Sequence, residues 1–184
     1  MTFSHEDELP IAREVHLLTN KPFLFTANVS EQQLKDMTPE KAREQLGLPA
    51  SAHVVIVCAK LEEDLQDLTP EEGIALLQEL GVASSGLDQL IRSVYDALGY
   101  ASYFTAGVKE VRAWTINRGC TAPQAAGVIH TDFEKGFIRA EVIAYKDFVQ
   151  FGGEAGAKSA GKLRVEGKEY VVQDGDVMHF RFNV

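Results

Sequence analysis

Over the first hundred residues the apolar positions fall into two short continuous runs separated by stretches of helical period. Residues 9–18 carry a weak helical pattern that stops before Lys21-Pro22, because proline disfavours helix in the residue preceding it. Residues 23–27 predict a buried strand. Residues 53–58 (HVVIVC) predict a second, since an unbroken apolar run of strand length is the pattern of a parallel strand covered on both faces. Between them Thr38-Pro39-Glu40 offers an N-cap, a proline at the first helical position and an early acid for a short helix ending near Gly47. Thr69-Pro70-Glu71-Glu72 repeats that signature with a capping box, and Gly81 ends the helix. Leu87, Leu90, Ile91, Val94, Tyr95 and Leu98 then recur at helical spacing, a stripe expected to pack on a sheet or on another helix.

The pattern changes near Tyr100. Beyond it, residues 111–116 predict a strand, Asn117-Arg118-Gly119 a turn, and residues 122–130 a helix with Pro123 near its start. Residues 137–144 alternate well enough for a strand. Residues 170–172 and 177–182 predict two more, joined by the turn Asp174-Gly175-Asp176. Residues 152–161 (GGEAGAKSAG) read as a mobile loop. The expected fold class is α/β followed by α+β, with units at 1–100 and 101–184.

A chain of 184 residues with 45% hydrophobic content can fill one medium core or two small ones. No window approaches the eighteen or so apolar residues of a membrane span, and the N-terminal MTFSHEDELP is acidic where a signal peptide is basic and then apolar. The expected location is the cytoplasm, with no membrane partner. Cys58 and Cys120 lack partners at metal spacing and read as buried thiols. The net charge of -9 is uneven: residues 1–100 carry 7 basic against 17 acidic side chains, and residues 101–184 carry 11 against 10. Nucleic-acid contact is therefore disfavoured in the first part, and a basic face is open to the second.

Two motifs carry candidate chemistry. Asn28-Val29-Ser30-Glu31 directly follows the first apolar run, and Cys58-Ala59-Lys60 ends the second. Nucleotide-binding G proteins place Asn-Lys-x-Asp and Ser-Ala-Lys at the corresponding strand ends. Here Val29 and Glu31 stand where a lysine and an aspartate would, and Cys58 stands for the serine. Together with the runs AAGVIHTDFEKGFIRAEVIAYKDF (125–148) and VVQDGDVMHFRFNV (171–184), these motifs make the chain resemble the C-terminal portion of the Obg-like ATPase (YchF) family of the P-loop GTPase superfamily, which ends in a TGS domain.

The resemblance implies a C-terminal remnant of a P-loop G domain, with parallel strands and helices, followed by a β-grasp TGS domain. It implies a ribosome-associated protein that hydrolyses ATP in preference to GTP, using Mg²⁺. Asn28, Val29, Glu31, Cys58, Ala59 and Lys60 would contact the adenine base, and Lys135, Arg139 and Lys146 would dock the ribosome or a structured RNA. No G-x-x-x-x-G-K-[ST] phosphate loop occurs in the sequence, and the switch regions and magnesium motif are expected upstream. No catalytic residue and no metal ligand is therefore assigned, and the chain alone is expected to be inactive. The alternative is a stand-alone RNA- or ribosome-binding module without ATPase activity. Self-association is expected if the sheet lacks its preceding strands and so exposes an apolar edge.

Other polar groups have plainer readings. In His130-Thr131-Asp132 a third ligand is missing and Asp132 is expected to cap or turn the backbone; His179 reads as a sheet-face residue. Glu62, Glu63, Asp64 and Asp67 read as a solvated connection, and Trp114, Phe133, Phe137, Phe148 and Phe151 mostly as core.

Overall fold

The computed structural model describes residues 14, 17–18, 21–107 and 110–183, so the helix predicted over residues 9–18 falls almost wholly outside them. The chain is mixed α/β and divides into two compact units, Met1–Leu98 and Gly99–Val184.

In the first unit β1 (Leu24–Asn28) and β2 (His53–Val57) pair in parallel, from Leu24 opposite His53 to Asn28 opposite Val57. A parallel pair needs a crossover. It is supplied by α1 (Glu31–Leu34), with a Ser30/Gln33 capping box, and α2 (Pro39–Gln45), where the Thr38 hydroxyl accepts from the Lys41 N–H at 3.3 Å. Ala42 of α2 buries against Val54 and Ile56, with Val29, Leu34 and Met37 packed around them. The strand predicted at residues 23–27 lies one residue later and is not buried: Phe23 is 62% and Phe25 37% exposed. Among the described residues β2 is the one strand hydrogen-bonded to β1, which leaves its other side open.

The acidic stretch after β2 is a helix rather than a loose connection. In α3 (Ala59–Gln66) Leu61 is buried, Leu65 half-buried, and Glu63 and Asp64 face solvent. Glu62 departs from the solvated reading: its carboxylate accepts from the Gly86 N–H at 2.7 Å. α4 (Pro70–Glu79) starts at the Thr69/Glu72 capping box, and Gly81 follows it at φ +73°. α5 (Gly86–Leu98) packs on β2 and β1. A Cβ at Gly86 would lie 3.1 Å from the Val57 Cα, so glycine sets how closely α5 approaches the end of β2. The stripe on α5 is only partly covered, Leu87, Ile91, Val94 and Leu98 being 37–52% exposed. Two strands about 4.8 Å apart make a sheet too narrow to cover a helix about 10 Å across.

In the second unit β3 (Tyr100–Ala106), β4 (Val111–Asn117), β5 (Phe137–Ala144), β6 (Arg164–Glu166) and β7 (Asp176–Phe182) form a sheet ordered β4-β3-β7-β5-β6. Its pairings are antiparallel except β3 with β7, at Phe104 opposite Val177. α6 (Ala122–Ile129) presents Ala122, Ala125 and Ala126, all fully buried, at the i, i+3, i+4 spacing that lets a helix approach a sheet closely. Beneath it Tyr103 is fully buried, donates its hydroxyl to the Ala125 carbonyl at 2.9 Å and meets Phe180 edge-on. Burial raises its phenol above the ordinary tyrosine range.

Three expectations fail here. Residues 170–172 form no strand; the Tyr170 carbonyl and Val172 N–H instead bond to the backbone on either side of Thr121. The sheet instead gains two strands that the sequence pattern does not predict, β3 and β6, the latter hidden by its charged residues. The segment 152–161 folds around α9 (Glu154–Ser159), anchored by fully buried Ala157. Two further short helices, α7 (Thr131–Lys135) and α8 (Tyr145–Gln150), flank β5. Cys58 is buried as expected, whereas Cys120 is half-buried.

Candidate functional site

A parallel strand pair brings the segments that follow both strands to the same edge of the sheet, the edge where α/β proteins bind ligands. Asn28 ends β1 and Val29–Glu31 follow it, Cys58–Lys60 follow β2, and all of these but Ala59 line one open cleft of about 490 Å³. Asn28 Oδ1 accepts from the Ala59 N–H at 3.1 Å, tying the end of β1 to the start of α3. Val29 N–H donates to the Val57 carbonyl at 2.8 Å and extends the ladder past the strand. Lys60 Nζ lies 2.8 Å from Glu31 Oε1. That hydrogen bond, the Glu31 charge and Asp64 behind it hold the Lys60 ammonium above its ordinary range.

All six residues expected to contact a base therefore meet at one place, with Ala59 engaged through its backbone. The first segment differs from a plain loop: Ser30 is the N-cap of α1 and Glu31 its first residue. Ser30 and Gln32 join the cleft lining without having been singled out. The signal for α1 was present in the spacing of Ser30 and Gln33, which satisfies the capping box. Because Asn28 spends its oxygen on Ala59, its amide nitrogen keeps the donors. Glu31 and Lys60 offset one another, so the cleft carries little net charge at this point. Asp96-Ala97-Leu98-Gly99 spells Asp-x-x-Gly but lies at the end of α5, closed by Gly99 at φ +67°, and not in a segment that directly follows β1 or β2.

The expected docking residues are not clustered. Lys135 ends α7 and Lys146 lies in α8, at opposite ends of β5, whose eight residues span roughly 23 Å. Arg139 lies on β5 between them, within 3.5 Å of Glu141. In the His130–Asp132 segment the histidine rather than the aspartate caps α7, His130 Nδ1 accepting from the Asp132 N–H at 3.2 Å. Phe137 is buried, while Trp114 and Phe133 pack against the core.

The fold thus places this chain among mixed α/β proteins, with an open cleft at the carboxyl edge of a parallel strand pair. Residues 100–183 match the family YchF-GTPase_C, described as "Protein of unknown function (DUF933)". The chain is 55% identical over 183 residues to the "Ribosome-binding ATPase YchF" of Bacillus subtilis (strain 168), covering 97% of this chain and 50% of that protein. It is 42% identical over 186 residues to the "Obg-like ATPase 1" of Gallus gallus, covering 97% and 46%. The solved Schizosaccharomyces pombe YchF GTPase superposes with a TM-score of 0.77 at 36% identity, over 98% of this chain and 48% of that one. The chain belongs to the YchF/Obg-like ATPase family and corresponds to its C-terminal portion. It spans about half the length of the curated relatives it matches. Among the described residues no helix is long and apolar enough to cross a membrane.

Proposed function

We propose that this chain supplies the adenine-reading cleft and the ribosome-docking module of a ribosome-binding ATPase. The observation that carries the reading is the convergence of Asn28, Val29 and Glu31 with Cys58, Ala59 and Lys60 at one strand edge. A purine N7 is an acceptor, which the free amide donors of Asn28 suit, and Val29 offers an apolar contact to the ring. The residues lining the cleft fit a base, and since the sequence has no G-x-x-x-x-G-K-[ST] motif, ATP turnover is assigned to a phosphate loop outside this chain.

The first unit reads as the end of a G domain. The second unit's order β4-β3-β7-β5-β6, with α6 across one face, supports a β-grasp TGS domain. Lys135 and Lys146, with Arg139 between them, are the proposed contacts to ribosomal RNA, in a cytoplasmic setting. Their spread along β5 suits an extended phosphate backbone better than a single anion. The uncovered side of β1 is the proposed edge for self-association.

The test is a nucleoside titration followed by NMR of the labelled chain. Adenosine should shift the amides of Val29, Ala59 and Lys60 more than guanosine at equal concentration, and Asn28→Ala should weaken the shifts from both, because N7 is common to the two purines. Equal shifts from both nucleosides, or shifts confined to residues 99–184, would refute the base-reading assignment.

A further inference from the structure

Outside the cleft, three metal-ligating side chains converge on the second unit's sheet. Glu141 on β5 and His179 on β7 are directly opposite one another in the antiparallel register. Glu154 is the first residue of α9. One ligand atom from each lies within 4.8 Å of the other two. The three border a cavity of about 10 Å³ that Ile143, Phe148 and Leu163 also line, room for one small occupant. The position of Glu154 is fixed by its helix. Ala157 is fully buried, and a Cβ at Gly156 would overlap the Phe151 carbonyl, so α9 sits where only glycine lets it approach.

We propose that Glu141, Glu154 and His179 form a binding site for a divalent transition-metal ion of the zinc type. An imidazole nitrogen with two carboxylates suits zinc better than magnesium or calcium, which prefer oxygen ligands alone. Three protein ligands leave a tetrahedral ion one position for water. Ligands about 2.1 Å from such an ion stand roughly 3.4 Å apart, so atoms now within 4.8 Å of one another must draw in by up to about 1.4 Å. His179 is exposed and Glu154 half-buried, and side-chain rotation covers that distance.

Arg181 bears on the charge balance. It donates to both Glu141 oxygens, at 3.3 and 3.1 Å, while Arg139 reaches one of them at 3.5 Å. Each carboxylate oxygen has a second lone pair, so Arg181 orients Glu141 as outer-shell partners orient metal-binding carboxylates. Two guanidiniums beside two carboxylates leave the patch without net negative charge. Affinity therefore comes from the geometry of the ligands, and the site is exchangeable rather than one on which folding depends. An ion there ties α9 to the β5–β7 ladder.

The test is calorimetric titration of the full chain with zinc chloride in a chelator-free neutral buffer, with cobalt(II) as a visible-absorbance probe of the same site. One equivalent of zinc should bind, and cobalt should develop ligand-field bands that zinc removes. His179→Ala and Glu154→Gln should each weaken binding about tenfold or more while circular dichroism stays unchanged. His130→Ala, which removes the other histidine beside a carboxylate, should leave binding as it was. Absence of stoichiometric binding, binding that survives both substitutions, or binding lost with His130→Ala would overturn the proposal.

Discussion

Asn28 joins two segments that are far apart in sequence, because its side-chain oxygen holds the Ala59 N–H while its backbone belongs to β1. A buried analogue of such cross-linking lies at Asp176, which is 3% exposed. It accepts from the Tyr170 hydroxyl at 2.7 Å, from the Gln173 N–H at 3.0 Å and from Arg164 at 3.4 Å. Burial, then the bond to Asp176, pushes the Tyr170 phenol up to about 12. A tyrosine whose folded pKa is raised stabilises the fold fully below its ordinary value near 10. That contribution fades as pH climbs from about 10 to about 12, because the unfolded chain ionises first. Thermal midpoints of the native chain should therefore fall across this window more steeply than those of Tyr170→Phe. Parallel profiles would show that the hydroxyl contributes nothing there. The sequence does not disclose this network: the pattern at residues 170–172 predicts a strand, and nothing in Asp174-Gly175-Asp176 says which aspartate turns inward.

At the scale of elements, helices that begin with a hydroxyl cap and proline were readable, as at Thr38-Pro39 and Thr69-Pro70, because cap and proline act locally. α3 was missed for the converse reason: Cys58 caps it without a side-chain hydrogen bond, and its exposed acids outnumber its one buried leucine. α9 was missed because glycine density reads as a loop, although here glycine permits close packing against Phe151. The motifs after β1 and β2 were readable as candidate site residues, whereas their hydrogen bonds depend on a register no local pattern encodes. The sequence predicts the apolar stripe of α5 but not how much of it is buried, since burial depends on what covers it. A two-stranded sheet is marginal alone, while the second unit joins five strands over a continuous core. Amides of β5 and β7 should accordingly be the slowest to exchange hydrogen, and those of β1 and α5 much faster. Uniform protection across both units in a monodisperse monomer would contradict this and would remove the case for self-association through β1.

At the scale of the molecule, one unit holds the cleft and the other the surface proposed to dock on the ribosome, so base preference can be tested apart from docking. Guanine offers two adjacent donors, N1–H and the 2-amino group, to a short aspartate; adenine offers neither, and its N1 accepts. Glu31 is one methylene longer than aspartate, and it is held by Lys60. In the proposed base-reading role, that length disfavours guanine's paired donors. A mismatched polar group in such a pocket costs about 1–3 kcal/mol, roughly five- to 150-fold in affinity. The most direct measurement places the preceding half of the Bacillus subtilis relative before this chain and titrates the chimera with ATP and GTP by calorimetry, side by side. ATP should bind more tightly, by a factor within that range, and Val29→Lys combined with Glu31→Asp should shift the preference toward GTP. Tighter GTP binding by the unsubstituted chimera would contradict the adenine-reading account.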